Sequence, residues 1–290
     1  MKKRLLCFWL LGVFLAILPF SAFADRNKFL DAALPYLEEG NPFMARYNEL
    51  NGADLQSRWP LGCPYFWAGR SVKNVLKPVR CASESNYYKK DQFYLYGLDC
   101  AGFTQYIVQK CGYEEHPKIS DLLNISKYQD KIIRGAKGNT GEERSAVLRI
   151  GDLLAIRHPS GGFHIGMYCG TLASYGYTEE SLPPELAPYL GFPLLIHCTE
   201  SSDYYERYRD FLAAQEEDSG ILPPCGGVVV SVLDVPPSAA PSRTPDLAGL
   251  SVPCFDLEGY HLQVLDLAQE KQFRWIRWRQ RPAEETSPPS

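Results

Sequence analysis

The distribution of apolar and polar positions divides the chain into an apolar leader, a helical start and a later series of strands. Residues 5–20 are almost entirely apolar and follow the basic start MKKR. In RNKFLDAALPYLEEG, apolar residues recur at helical spacing, and Gly40 can end the helix. The next stretch, NPFMARYNELNGADLQSRWP, predicts a second short helix followed by a turn. These patterns predict an N-terminal helical segment over residues 25–61.

Strand patterns dominate the second half of the chain. The runs DLLAIR and FHIGMYC are joined by the tight turn HPSGG, which is typical of a β-hairpin. PLLIHCTES and GGVVVSVLDV predict two more strands, and YHLQVLDL with QFRWIRWR predicts a final hairpin. Helices followed by an antiparallel meander predict a single α+β domain. Less regular inserts fall near residues 70–94, 171–193 and 235–253, the last an exposed Pro- and Ser-rich loop, and residues 282–290 predict a disordered tail.

The leader predicts export. A basic start, an apolar run and the A-x-A site Ala22-Phe23-Ala24 match a signal peptide over residues 1–24, with cleavage before Asp25. The alternative is an uncleaved membrane anchor, because the apolar run approaches the ~20 residues that span a bilayer. No second run is long enough to cross a membrane. We therefore expect a protein of the periplasm or cell envelope, with no integral membrane domain after cleavage.

Charge argues against a nucleic-acid partner. The formal net charge is -4, and removal of the leader with its three basic residues takes it to -7. Nucleic-acid binding requires a concentrated basic face. The one basic cluster, FRWIRWRQR at residues 273–281, alternates with apolar residues and predicts an amphipathic strand with a cationic outer face.

The cysteines form no clear disulfide or metal pattern. Of the nine cysteines, Cys7 lies in the leader, which leaves eight in the exported part. Export makes disulfides possible, but seven would remain if Cys100 stays free, an odd number. No C-x-x-C or H-x-x-x-H spacing is present, so the sequence predicts neither zinc nor another metal or cofactor.

The stretch LYGLDCAGFTQYIVQKCG places a cysteine at a predicted helix start. Asp99 is a favoured N-cap residue, and Cys100 would be the first helical residue. The free amides of the first turn, such as that of Ala101, could lower the thiol pKa and face an oxyanion. Gly102 would leave the first turn open to a substrate. The alternative is a structural residue, because free cysteines are commonly buried and a half-cystine is also possible.

Two of the five histidines lie on predicted strands in a suggestive arrangement. Alternation places His164 and His197 on one face of their strands if the two runs pair. A thiol, one imidazole and a second orienting group are the minimal set for thiol acyl transfer. Alone, each histidine would be a routine half-buried imidazole bonded to a backbone carbonyl. His116 and His158 lie in turns and are expected to face solvent. The same pairing sets Cys169 and Cys198 too far apart for a disulfide.

Four short blocks resemble the NlpC-type cysteine peptidases, which are papain-like enzymes of the bacterial cell wall. The blocks are YFWAGRS, GLDCAGFTQYIV, IGDLLAIRHPSGGFHIGMYCG and LLIHCTES, in the family's order. The resemblance implies a papain-like fold, with helices packed on an antiparallel sheet or partial barrel and the nucleophile at the start of a core helix. It places a catalytic domain at residues 62–281.

Carried over by matching motifs, the resemblance implies roles for individual residues. Cys100 would be the nucleophile, His164 the general base and acid, and His197 the third, orienting group. Tyr65 would place its hydroxyl near the nucleophile, although it could also be a packed aromatic side chain. Asp99 matches the motif acid and is better explained as a helix cap.

The implied reaction is hydrolysis of an amide in peptidoglycan stem peptides, typically between γ-D-glutamate and a diamino acid, with no metal or other cofactor. Ala68 stands where the family has glycine, and Ala101 where it has serine. Inserts around the site leave substrate choice open more than the chemistry. Two alternatives remain: a related thiol amidase or acyltransferase acting on another amide, and a non-catalytic cell-wall-binding module.

Overall fold

The structure is a computed structural model of the 290-residue chain. It describes residues 27–124, 126–134, 141–214, 220–233, 242–245, 251–267 and 270–278. The predicted signal peptide and the predicted tail lie outside the described residues. No helix of the described part has both the length and the apolar character needed to cross a membrane.

The N-terminal segment contains the two predicted helices. Helix α1 spans Lys28–Ala33, begins at the Asn27 cap and gives way to a 3-10 turn, Leu34–Tyr36. Proline has no amide hydrogen to continue the α-helical ladder, and Pro35 lies in this turn. Helix α2 spans Pro42–Asn51 and ends on a left-handed glycine.

Four further α-helices follow among the described residues. They are α3 (Cys100–Lys110), α4 (Ile119–Leu122), α5 (Gly141–Ser145) and α6 (Ser202–Ala213). Helix α3 was predicted. Helix α6 was not predicted from the sequence. It begins where the Ser201 side chain accepts a hydrogen bond from the Tyr204 amide.

Eleven strands form two sheets in the described residues. In chain order they are β1 (Pro78–Arg80), β2 (Phe93–Leu95), β3 (Leu153–Arg157), β4 (Phe163–Gly170), β5 (Leu194–Glu200), β6 (Ile221–Leu222), β7 (Gly226–Leu233), β8 (Ser242–Pro245), β9 (Ser251–Leu257), β10 (Tyr260–Leu265) and β11 (Gln272–Ile276). The small sheet has the order β1-β2-β6, and the large one β11-β3-β4-β5-β7-β10-β9-β8. The chain is therefore a mixed α+β protein.

The meander prediction holds for the centre of the large sheet only. Strands β3, β4, β5 and β7 are consecutive antiparallel neighbours, as the alternating runs indicated. The predicted final hairpin is wrong, because β10 pairs in parallel with β7 whereas β11 pairs with β3 at the opposite edge. The loop predicted over 235–253 is also wrong in part, since β8 and β9 pair with each other there.

The basic strand does not present the predicted cationic outer face in the described residues. Arg274 is buried, and its Nε donates a hydrogen bond to the Leu123 carbonyl at 2.9 Å. Arg277 forms a bidentate ion pair with buried Asp152, at 2.8 and 2.9 Å. These arginines attach the β11 edge to the fold, because a buried charge is stable only when it is paired.

The two faces of the large sheet pack differently. On β4, Ile165, Met167 and Cys169 belong to the main core, which also contains the buried face of α3. Tyr168 belongs to a second cluster on the opposite face, together with Leu195 and other side chains. This alternation follows from the two-residue repeat of a β-strand, and it places each candidate side chain on β4 on one or the other of these two faces.

Close backbone packing holds the loop at residues 66–70 against the start of α3. A Cβ on Gly102 would lie 2.1 Å from the Gly69 carbonyl oxygen, and a Cβ on Gly97 would lie 1.8 Å from that of Pro64. Gly102 therefore lets the loop approach the helix. The predicted role of Gly102, an opening for substrate, is not what its surroundings show.

We predict that Gly102→Ala destabilises the protein although alanine is the better helix former. Overpacking against a backbone oxygen costs about 1–3 kcal/mol or more, which exceeds the ~1 kcal/mol that alanine contributes in a helix. Gly162→Ala is the matched control, because its nearest contact would be an ordinary 3.7 Å. Urea unfolding measures both variants, and equal midpoints for them would contradict the packing argument.

Candidate active site

Asp99 caps α3 and orders its first turn. Its Oδ1 accepts a hydrogen bond from the Gly102 amide at 2.6 Å and forms an ion pair with Arg70 Nη1 at 3.0 Å. Burial raises the pKa of the Asp99 carboxyl, and these donors oppose the rise. The side chain is thus committed to the helix start, as its cap position predicted.

Cys100 is the first residue of α3, as predicted, and its thiol is free and buried. The nearby amides of Ile165 and Ala101 favour the thiolate and lower the thiol pKa, as does the charge of Arg70. Burial and then the charge of Asp99 act in the other direction and raise the thiol pKa to about 12. The expectation of a lowered pKa at this helix start is therefore wrong for the free protein.

The Cys100 sulfur lies where two strands separate. The ladder between β4 and β5 ends at the pair Met167–Ile196. The Tyr168 amide donates to the Asp152 carbonyl at 2.8 Å, and the Tyr168 carbonyl accepts from the Gly151 amide at 3.0 Å. Even-numbered residues of β4 therefore direct their amides toward β3, and odd-numbered residues toward β5. The Ile165 amide thus points into the opening between the strands, where it meets the sulfur. The thiol is in this way brought next to the residue that follows His164.

Three polar side chains lie diagonally across three neighbouring strands. His164 on β4 contacts His197 on β5 through Nε2 and Nδ1, at 2.6 Å. His197 Nε2 contacts the Ser231 hydroxyl on β7 at 2.7 Å. A Cβ on Gly166 would lie 2.6 Å from Leu195 Cγ and 3.0 Å from the His197 Cβ, so glycine leaves room there for both side chains. The structure therefore brings the two predicted histidines together.

The hydrogen-bond chain has one productive direction for a general base. If His197 Nε2–H donates to Ser231 Oγ, then His197 Nδ1 accepts from His164 Nε2–H. That direction leaves His164 Nδ1 without a proton and able to accept one. The Ser231 hydroxyl can accept at the end of this chain, although a hydroxyl can equally donate in the reverse direction.

Both imidazoles are neutral at physiological pH. Burial lowers the pKa of His197 to about 3. Burial also lowers the pKa of His164 well below its usual value, and the neighbouring His197 and His158 add to the effect. Within the described residues, no hydrogen bond joins the Cys100 sulfur to either ring. The thiol and both imidazoles are thus neutral, and they do not form a thiolate–imidazolium pair.

Tyr65 lies beside the candidate nucleophile. It is 6% exposed, and burial followed by the proximity of Cys100 raises its pKa, so its hydroxyl is a neutral donor. Its ring packs near Tyr87 at 5.9 Å, and Tyr87 stacks on Trp67 at 5.3 Å. Tyr87 comes from the insert near residues 70–94, so this insert forms a wall of the site. Trp67 is 55% exposed at the outer end of that wall.

The remaining histidines depart partly from expectation. His116 was predicted to face solvent but is 1% exposed, with Nε2 bonded to the Thr104 hydroxyl at 2.8 Å. His116 therefore has a structural role, because this hydrogen bond joins the turn after α3 to the helix. His158 is half-buried, and its Nδ1 pairs with Glu270 at 2.8 Å. Its ring lies 6.2 Å from that of His164.

The other cysteines do not form a disulfide framework. Cys169 and Cys198 are free thiols, in agreement with their predicted separation, and the described cysteines as a group are free. No set of three or more His, Cys, Asp or Glu side chains in the described part of the chain is arranged to hold a metal ion.

Ser231 is a site residue that was not predicted from the sequence. It is 1% exposed and interrupts the apolar run VVVSVL of β7. A single polar residue in a buried strand requires a hydrogen-bond partner, and this pattern in the sequence could have indicated its role. The partner itself depends on the register of β5 and β7, in which Leu195 faces Ser231 and His197 is its diagonal neighbour.

Comparisons of the chain with protein-family models, with curated proteins and with solved structures find no match.

We predict that alkylation of Cys100 by iodoacetamide accelerates steadily with pH. A thiol pKa of about 12 means that the reactive thiolate grows roughly tenfold per pH unit between pH 6 and 9, with no plateau. Peptide mapping by mass spectrometry follows this cysteine separately, and Cys100→Ser identifies its signal. His164→Ala should keep the slope, because the neutral imidazole does not hold a thiolate. A plateau below pH 8 in the wild type, lost in His164→Ala, would instead reveal an ion pair.

A second prediction concerns acid stability. His197 has a folded pKa of about 3, below its unfolded value of ~6.5, so the unfolded state binds more protons between these values. Its stabilising contribution is complete above pH 6.5 and is lost as the pH falls toward 3. Lowering the pH from 6.5 to 5 should cost roughly 2 kcal/mol for this residue.

The measurement is the melting temperature at pH 7 and pH 5. The fall should be smaller in His197→Gln by several degrees. An equal fall in wild type and His197→Gln would show that this ring does not titrate on unfolding.

Proposed function

We propose that this chain is an exported cysteine peptidase of the NlpC type with a papain-like catalytic domain over residues 62–281. Its substrate would be peptidoglycan stem peptides in the periplasm or cell envelope. The bond would be the amide between γ-D-glutamate and a diamino acid, hydrolysed through a thioester on Cys100. The four sequence blocks and the export signal motivate this proposal.

One structural observation carries it. The chain from His164 through His197 to Ser231, at 2.6 and 2.7 Å, begins at the residue next to Ile165, whose amide lies near the Cys100 sulfur. The side chains of His164, His197 and Ser231 share a sheet face with Tyr168 and Leu195, whereas Cys100 belongs to the core on the other face. The proposal therefore requires the thiol and the His164 ring to meet at the opening between β4 and β5. A thiol with a base and an orienting group is the combination that nucleophilic catalysis by cysteine requires.

The proposed reaction begins with proton transfer from the Cys100 thiol to His164 Nδ1 as the sulfur attacks the amide carbon. A tetrahedral oxyanion forms, and His164 then gives the proton to the departing amine. Water, deprotonated by the same imidazole, cleaves the thioester and regenerates the thiol. His197 and Ser231 hold the tautomer that leaves Nδ1 free to accept. Because the thiol and imidazole begin neutral, the proton moves during the attack and not before it.

The surrounding groups have separate roles in this proposal. The Tyr65 hydroxyl and the Ala101 amide would donate to the oxyanion. Asp99 would act on the helix start alone, since its oxygen already accepts from Gly102 and Arg70. The wall formed by Tyr87 and the exposed Trp67 would border the substrate groove.

A second candidate function is a non-catalytic cell-wall-binding module. Two observations favour it: the Cys100 thiol is only 9% exposed, and its pKa is raised to about 12. A related thiol amidase or acyltransferase would use the same three residues on another amide. Digestion of muropeptides separates these candidates, because only the proposed peptidase cleaves the stem peptide.

We predict that Cys100→Ala abolishes stem-peptide cleavage while the protein remains folded. A digest of purified muropeptides with wild type beside the variant, read by mass spectrometry, should show new product masses only in the wild type. His164→Ala should also remove cleavage, because the proposed reaction assigns both proton transfers to this imidazole. His197→Gln and Ser231→Ala should retain partial activity, reduced roughly 10- to 100-fold by loss of orientation.

Circular dichroism and the melting temperature supply the control for folding. Unchanged turnover in Cys100→Ala would exclude the peptidase proposal. An intact substrate with the wild type, together with binding of muropeptides, would favour the wall-binding module.

A further inference from the structure

Arg157 and Phe163 form a cross-strand pair where β3 ends and β4 begins. The two residues are directly opposite each other in the register, and the Arg157 guanidinium carbon lies 5.7 Å from the centroid of the Phe163 ring. Phe163 is 41% exposed, and Arg157 is half-buried. The attraction between a cation and an aromatic face holds the guanidinium against the ring. The pair therefore presents a positive charge beside an exposed apolar surface.

This pair lies on the face of the large sheet that carries Cys100. Ala155 and Ile165 are opposite each other one step further along the same two strands, and both belong to the main core together with Cys100. Because side chains alternate, Arg157 and Phe163 share their face. The step of two residues is about 7 Å along the strands. Since the Ile165 amide lies near the Cys100 sulfur, one bound peptide can reach both the thiol and the guanidinium.

Arg157 has no anionic partner among the described residues. It takes part in none of their ion pairs, and its Nε is buried without a hydrogen-bond partner. Glu270, a carboxylate at this end of β3, is paired with His158 at 2.8 Å. The His158 ring lies 6.2 Å from that of His164, on the opposite face of the sheet. A guanidinium is always charged, and partial burial without an anion is unfavourable, so a bound anion would stabilise it.

Arg70 is the other arginine near the thiol, and it is already engaged within the protein. Its Nη1 pairs with the Asp99 carboxylate at 3.0 Å and donates to Gln105 Oε1 at 3.4 Å. The first of these contacts supports the cap of α3, so the charge of Arg70 is balanced at the helix start. Of the two arginines, Arg157 is therefore the one left to bind a ligand.

The proposed substrate carries a group of the complementary charge. A glutamate that is joined through its γ-carboxyl keeps a free α-carboxylate, a few bonds from the carbonyl carbon that the Cys100 sulfur would attack. The two terminal nitrogens of a guanidinium match the two oxygens of a carboxylate. The methylene groups between the carboxylate and the attacked carbonyl would lie beside the exposed Phe163 ring, because apolar surfaces associate in water.

We propose that Arg157, with Phe163 beside it, binds the free α-carboxylate of the substrate residue whose γ-carbonyl is attacked. This inference rests on the proposed peptidase function and adds to it a residue that selects among muropeptides. A peptide in which the same carboxylate is amidated would bind more weakly, because the guanidinium would keep its unbalanced charge. Arg157 is a substrate-binding residue and takes no part in the proton transfers.

The test compares L-alanyl-γ-D-glutamyl-L-lysine with the same peptide carrying an α-carboxamide on the glutamate. Wild type should cleave the acid with a kcat/KM at least roughly tenfold higher, which corresponds to 1.4 kcal/mol. Arg157→Gln should lose this preference through a higher KM for the acid at unchanged kcat, because the contact is equal in the ground and transition states. Arg157→Lys should recover part of it. Arg149→Gln is the matched control, since it removes an exposed arginine before the other end of β3, and it should keep the wild-type preference.

Binding to Cys100→Ala separates this inference from the peptidase proposal, because calorimetry then measures both peptides without turnover. Tighter binding of the acid that is lost when Arg157→Gln is added supports the inference, even if wild type cleaves neither peptide. Equal cleavage of both peptides by wild type, or an equal loss for both in Arg157→Gln, overturns the inference and leaves the peptidase proposal standing. Binding of neither peptide overturns it as well. Melting temperatures verify folding, and Phe163→Leu, which should reduce the preference severalfold, is the second variant if Arg157→Gln does not fold.

Discussion

The separation of β4 from β5 after the pair Met167–Ile196 is the feature on which the candidate site depends. If the ladder continued, the Ile165 amide would be paired with β5 and unavailable to the Cys100 sulfur. A break in backbone pairing thus leaves the Ile165 amide near the helix-borne thiol, one residue from His164.

Burial outweighs the helix start in setting the charge state of this site. A helix dipole contributes at most ~2 kcal/mol in favourable buried geometry, equivalent to about 1.5 pKa units. Full burial can shift a pKa by 3–5 units in the direction of the neutral form. The thiol pKa of about 12 and the lowered pKa values of the two histidines follow from that difference. A substrate that excludes water without adding charge would leave this neutral arrangement intact.

The loop before α3 stores strain next to the site. Ala68 adopts a left-handed φ of 61°, which costs a non-glycine residue roughly 1–3 kcal/mol. The tight contact of Gly69 with Gly97 and the hydrogen bond from the Trp67 amide to the Tyr88 hydroxyl, at 2.7 Å, hold the loop in place. Trp67 is therefore exposed on a fixed backbone, which suits a surface that orients a ligand.

Local pattern determined much of this protein. Period-two alternation predicted the central strands and the shared face of His164 and His197, and a cap residue beside an apolar period predicted the helix that begins at Cys100. These signals are local, because they arise from backbone geometry within a few residues. Tertiary structure decided the parallel pairing of β10, the position of β11 at the far edge, the burial of His116, the partner of Ser231 and the pKa of the thiol. Each of these depends on which distant segments remove water from a group or offer it a hydrogen bond, and sequence spacing carries no measure of that.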